Sequence, residues 1–206
     1  MTEALVKELK KLVDGGKLKQ GEEVLRKAKF AMSSLQSLPP NNELTSTSKA
    51  ERSLARDVYE SAVVLSVKSK DMKSLERHLV LLRPFCCEYR SELGESPRRS
   101  ELIALELLFL LVESRLAEFH SLLELVAMGE RDDKYIAFVV SIEQYLMEGS
   151  YDKVLAARKK TPSDVYSWLL ESLEETVRDE IASCIEVSYP VLSLVSTHFM
   201  LRKMKF

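Results

Sequence analysis

VSIEQYLMEGSYDKV, residues 140–154, decides how the rest of the chain is read. Ile142, Leu146 and Met147 share a helical face and close one helix, Gly149 supplies the turn, and Tyr151 with Val154 opens an antiparallel partner. The stretch holds no histidine or cysteine. Glu143 and Glu148 lie five residues apart, roughly 500° of helix rotation, so their carboxylates diverge and do not form an acid and base pair. They read as a solvated face, and the segment reads as a packed corner rather than a reactive loop.

Two other stretches repeat this pattern. VESRL at residues 112–116 and MEGSY at residues 147–151 each place an apolar residue four before another, with Phe119 and Val154 three further on. A related corner at residues 67–75 reads as one residue longer. Helix, tight turn and helix recurring at roughly 35 to 45 residues is the signature of a helical-repeat α-solenoid of the TPR-like or HEAT-like kind, because one hairpin cannot bury its apolar face alone.

The flanking segments agree. Leu5, Leu9, Leu12 and Val13 step at helical spacing to a stop at Gly15-Gly16. Val24, Ala28, Ala31, Leu35 and Leu38 form a second face that Pro39-Pro40 ends. Ser48 with Glu51 reads as a capping box opening a helix through Leu54, Val58, Ala62 and Leu65. A turn at Ser69-Lys70-Asp71 leads into Leu75, Leu79, Leu82 and Tyr89, with Pro84 expected to kink the helix. Ser96-Pro97 reads as the N-cap and first turn of a helix that is apolar nearly all round and therefore buried. Helices follow over residues 116–126, 136–147 and 151–158. Thr161-Pro162 caps a last long one that ends at Tyr189, before Pro190. No strand of period two is read, so the fold class is all-α.

Composition narrows the function. With 30 Lys and Arg against 32 Asp and Glu, the formal net charge of −2 gives the whole chain no drive toward nucleic acid or anionic lipid. Cys86, Cys87 and Cys184 form no CxxC and read as free buried thiols of a reducing compartment. The charged, amphipathic N-terminus is not read as a signal peptide, and the apolar run at residues 102–112 is too short to span a bilayer.

Sites for chemistry are not found. His78, His120 and His198 stand apart, without metal-ligand spacing, and no phosphate-cradling glycine loop or nucleophile elbow occurs. No catalytic residue, metal or cofactor is expected. The basic clusters Arg98-Arg99, Arg158-Lys159-Lys160 and Arg202-Lys203 lack interleaved aromatics and read as solvated ends; Arg158 to Lys160 also suits a helix C-terminus.

SIEQYLMEGSYDKV at residues 141–154 and VRDEIASCIEVSY at residues 177–189 resemble the PCI-domain subunits of the 26S proteasome lid. LLFLLVESRLAEFH at residues 107–120 and LARDVYE at residues 54–60 echo that family in the same order. The resemblance implies a helical-repeat arm over residues 1–160 and, over 161–206, C-terminal helices and the first part of a winged-helix (PCI) domain. VLSLVSTHFMLRKMKF at residues 191–206 matches only the first helix of that winged helix. The wing is thus expected to be truncated, leaving Leu194, Phe199 and Met200 short of partners.

The implied function is a non-catalytic scaffold of the lid of the 19S regulatory particle, in the cytoplasm and nucleus. It would support lid assembly, retention of the ubiquitin-receptor subunit and ubiquitin-dependent protein degradation. Implied partners are other lid PCI subunits and the ubiquitin receptor, with no nucleic acid and no membrane. Gln144, Tyr145, Glu148 and Tyr151 are expected contacts because a solenoid corner exposes its turn. Arg178, Asp179 and Glu180 are expected either as contacts or as an ion pair from arm to winged helix. The alternative is a PCI-type scaffold, or a winged-helix nucleic-acid module, of another complex.

Overall fold

The computed structural model describes residues 2–32, 38, 48–94, 96–189 and 191. Among them every regular element is helical. The α-helices are α1 (Thr2–Asp14), α2 (Leu18–Met32), α3 (Ser48–Ser69), α4 (Met72–Cys87) and the single turn α5 (Arg90–Leu93). They continue with α6 (Arg99–Val112), α7 (Leu116–Leu125), α8 (Lys134–Met147), α9 (Tyr151–Ala157) and α10 (Ser167–Ser188). The chain divides into two compact units, Met1–Arg99 and Ser100–Phe206.

Four helix junctions are built the same way. Gly16, Lys70, Ser114 and Gly149 follow α1, α3, α6 and α8 and have left-handed φ of 70°, 56°, 57° and 68°. Each donates its N–H to the carbonyl three residues back, at 3.3, 3.1, 3.0 and 3.1 Å. The next residue, Lys17, Asp71, Arg115 or Ser150, donates to the carbonyl five back, at 3.1, 3.2, 2.9 and 2.8 Å. This pair of bonds is the Schellman closure, which satisfies carbonyls that a helix end otherwise leaves open. The following helix starts one residue later in every case. Aligned on the left-handed residue, the corner after α3 has the same length as the others. The extra residue expected from Val67 and Leu75 came from aligning apolar positions rather than the turn.

In the first unit α3 is the central element and packs against α1, α2 and α4. Its stripe Ala55, Val58, Ala62 and Leu65 is buried, with Val63, Val64 and Val67 also covered. Val6, Leu9 and Val13 of α1 and Val24, Leu25, Ala28 and Met32 of α2 share that core. A Cβ on Gly21 would meet a Leu65 methyl at 3.1 Å, so α2 crosses α3 where a larger residue would push them apart. In the second unit Phe119, Ile136, Val139, Ile142, Leu169 and Leu173 are buried. All of residues 102–112 are buried, including Glu106, as the apolar pattern of α6 requires.

Several boundaries differ from the sequence reading. Ser96 does accept from the Arg98 N–H at 3.4 Å, but α6 begins only at Arg99, after a turn at Pro97-Arg98. Thr161 does not start a helix: its hydroxyl donates back to the Arg158 carbonyl at 2.6 Å, and a 3-10 turn at Asp164–Tyr166 precedes α10. The helix from residue 151 stops at Ala157, and Arg158–Lys160 is a separate 3-10 turn. α4 runs through Pro84 to Cys87 without interruption. Cys86 is buried, but Cys87 is only half-buried and Cys184 is exposed, because Cys184 falls on the outer face of α10. Leu35, Leu194, Phe199 and Met200 lie outside the described residues.

The corners make opposite substitutions informative. A Cβ on Gly149 would touch nothing within 4 Å, so only its backbone conformation resists alanine. Gly149→Ala is expected to lower unfolding free energy by about 1 kcal/mol, and Ser114→Gly to raise it by up to about 1 kcal/mol, measured by urea titration.

Candidate functional site

The corner after α8 carries four of the seven expected contact residues. Gln144 is exposed and its Nε2 donates to Glu148 Oε1 at 2.9 Å, one helical turn on. Glu148 is the exposed C-cap of α8 and pairs with Lys153 at 3.7 Å. The Lys153 ammonium lies over the Tyr145 ring, 5.2 Å from its centroid. Tyr145 joins Phe138, Ser141, Ile142, Lys153 and Ala156 in lining a groove of about 260 Å³ between α8 and α9. Its floor is apolar and a lysine ammonium stands at its edge. Such a surface suits an apolar side chain flanked by acidic residues.

Tyr151 is half-buried at the start of α9, where desolvation first, then the Glu180 carboxylate and the Cys184 thiol of α10, raise its hydroxyl pKa. The fold therefore brings together Tyr151 and Glu180 from distant parts of the sequence. Asp179 and Glu180 are exposed. Arg178 donates to Glu174 at 3.3 Å, one turn back on its own helix. Its ion pair is thus within α10 and follows ordinary i, i+4 spacing.

Three arrangements escaped the sequence reading. Arg158 is not a bare helix-end charge: its guanidinium pairs with Glu174 at 3.2 Å and Glu171 at 3.6 Å, tying the end of α9 to α10. Glu143 is not on a solvated face: its side chain is only 13% exposed and lies 3.5 Å from the His120 ring nitrogen on α7. Tyr166 is fully buried, donates to the Glu101 carbonyl at 2.7 Å, and meets Tyr135 edge-on at 6.3 Å. Each depends on helices that approach only after folding, so spacing along the chain carries no trace of it.

Among the described residues His78 has a serine hydrogen-bonded to its ring and is buried where α2, α3 and α4 meet. Ser66 Oγ donates to the Ala62 carbonyl at 2.9 Å, so it accepts from the His78 Nδ1–H at 2.7 Å. The other ring nitrogen accepts from the Lys29 ammonium at 2.6 Å. The serine proton is therefore spent on the backbone and the imidazole has no lone pair toward the hydroxyl. That is a structural bridge, not an activated nucleophile. Desolvation, then the Lys29 charge, lowers the His78 pKa from 6.5 to about 4, against the Ala62 backbone carbonyl, with Arg77 adding to the effect and Asp71 opposing it. Among the described residues no three His, Cys, Asp or Glu side chains are placed to hold a metal ion. No described helix is long and apolar enough to cross a membrane.

The chain is similar to known proteins. Residues 97–201 match the CSN8/PSMD8/EIF3K family. The 26S proteasome non-ATPase regulatory subunit 8 homolog A of Arabidopsis thaliana is 39% identical over 179 residues, 87% of this chain and 67% of that protein. The 26S proteasome regulatory subunit rpn12 of Schizosaccharomyces pombe is 37% identical over 161 residues, 76% of this chain and 58% of that protein. The RPN12 subunit of Saccharomyces cerevisiae is 30% identical over 147 residues, covering 68% and 53%. The chain belongs to the CSN8/PSMD8/EIF3K family. It spans between about half and two thirds of the length of these relatives.

The His78 bridge predicts a pH effect with a fixed sign. A folded pKa below the ordinary one means that the folded state binds the proton less readily, so stability is full above about pH 6.5 and is lost as pH falls toward about 4. Unfolding free energies measured across that range should fall more steeply for the natural chain than for His78→Asn. Parallel profiles would contradict the bridge.

Proposed function

We propose that this chain is a non-catalytic scaffold of the 26S proteasome lid, joined to other lid subunits and supporting retention of the ubiquitin receptor in the cytoplasm and nucleus. The observation that carries this reading is the run of relatives named 26S proteasome regulatory subunits, at 30–39% identity over 68–87% of the chain. The four matching corners support a solenoid arm over residues 1–160, and the resemblance supports a PCI winged helix beginning within 161–206. Both relatives quoted from yeasts are named regulatory subunits. Arg158 is engaged by Glu171 and Glu174, which leaves less free positive charge for the nucleic-acid alternative.

The proposed contacts are Gln144, Tyr145, Glu148 and Tyr151 around the α8–α9 corner, with Arg178, Asp179 and Glu180 on α10. Lids isolated from fission-yeast cells depleted of rpn12 should bind the added chain and comigrate with it on native gels. Failure to comigrate would overturn the reading. Tyr145→Ala should weaken that binding by about 5- to 30-fold, corresponding to roughly 1–2 kcal/mol at an interface anchor, with the melting temperature nearly unchanged.

A further inference from the structure

A second cavity lies within the first unit, away from the α8–α9 corner. About 390 Å³ in volume, it is bounded by Lys10 and Val13 of α1, Arg56 and Glu60 of α3, and Ser96 and Pro97. The share of one liquid water is about 30 Å³, so there is room for a ligand group and not merely a single solvent molecule.

Its wall holds two polar atoms that face each other as an i, i+4 ion pair but make no hydrogen bond. Glu60 Oε1 and Arg56 Nε are buried and make no hydrogen bond. Glu60 is 6% exposed. The Arg56 fork is held from behind by Nη1 donating to the Gly94 carbonyl at 3.1 Å. Neighbouring Asp57 accepts from Lys10 through Oδ2 at 2.7 Å, while its Oδ1 lies 4.0 Å from Arg56 Nε. Nε and Oε1 stand 3.9 Å apart, beyond the hydrogen-bond limit of about 3.2 Å. A buried polar atom left in this state costs stability, and two sit side by side here.

The spacing selects a ligand. An anion such as carboxylate or phosphate could accept from Arg56 Nε but would offer only acceptors to Glu60. An ammonium or guanidinium could donate to Glu60 but would be repelled by Arg56. A group that is both donor and acceptor satisfies the pair; a hydroxyl must do so through one oxygen, whereas a carboxamide does so through two atoms side by side, its NH₂ reaching Glu60 Oε1 while its oxygen accepts from Arg56 Nε. Val13 and Pro97 give the cavity apolar walls suited to a short aliphatic stem. We propose that this cavity is a carboxamide slot that receives an asparagine or glutamine side chain of a partner protein. The identity of the occupant as a protein rests on the scaffold reading above; the chemistry of the slot does not.

Two experiments on the full chain test it. In the first, N-acetylglutamine amide is titrated while the Arg56 Nε–H resonance is followed by NMR, with propionate and propylammonium as comparisons. A saturable shift with the carboxamide alone is expected. No saturable shift, or an equal one with propionate, overturns the slot. In the second, the double variant Arg56→Met/Glu60→Leu replaces both unsatisfied groups by apolar ones of similar length. Its melting temperature should equal or exceed that of the natural chain, while its binding to rpn12-depleted lids falls at least tenfold. A variant that binds lids as the natural chain does would show solvent alone in the cavity and overturn the proposal. Natural chain that fails to bind lids but still gives the carboxamide shift removes the scaffold reading and leaves the slot standing.

Discussion

Helix ends must dispose of backbone carbonyls that no further turn of helix will satisfy, and this chain meets that demand at four junctions with one device. A single left-handed residue folds two N–H groups back onto the end of the helix, and the next helix begins at once. Because the connection uses so few residues, the second helix has little freedom to wander from the first. The consequence is local: α1 lies on α2, α3 on α4 and α8 on α9. Two of the four positions are not glycine, so Lys70 and Ser114 hold a backbone conformation that their Cβ atoms disfavour. The bonds they close and the helix packing that follows outweigh that strain.

Polar side chains do a different job, locking helices that the corners have already brought near each other. Arg52, 3% exposed, lies over the Tyr89 ring at 4.4 Å and donates to Glu92 at 2.6 Å, fastening the single turn α5 to α3. Phe85 continues the stack, with Tyr59 and Tyr89 rings each 5.7 Å away. In the second unit Glu174 receives both Arg158 and Arg178. These charges are hydrogen-bonded, whereas the facing atoms of the Arg56–Glu60 ion pair make no hydrogen bond.

Helix positions were legible because apolar residues at steps of three and four need no knowledge of the partner helix; Leu5 to Val13 and Ile136 to Met147 are examples. The glycine corners at Gly16 and Gly149 were legible because glycine alone takes left-handed φ freely. The corner at Lys70 was misjudged by one residue since nothing in a lysine announces a left-handed backbone. Helix starts were read too early at Ser96-Pro97 and Thr161-Pro162, where capping residues serve a preceding turn instead. Of the candidate site, the exposure of Gln144 and Glu148 followed from their place at a corner. The pairings of His120 with Glu143 and Arg158 with Glu174 join neighbouring elements in three dimensions, and no single-sequence spacing encodes them; Arg56 and Glu60 stand at i, i+4 on α3, a pairing that spacing does encode.

Hydrogen exchange at the junctions tests the central constraint most directly. Lys17, Asp71, Arg115 and Ser150 each follow a helix end and would exchange within seconds in an open loop. If each amide is bound to the carbonyl five residues back, all four should exchange as slowly as the last turn of the preceding helix. Exchange at loop-like rates at these four amides, with the neighbouring helices still protected, would contradict the account.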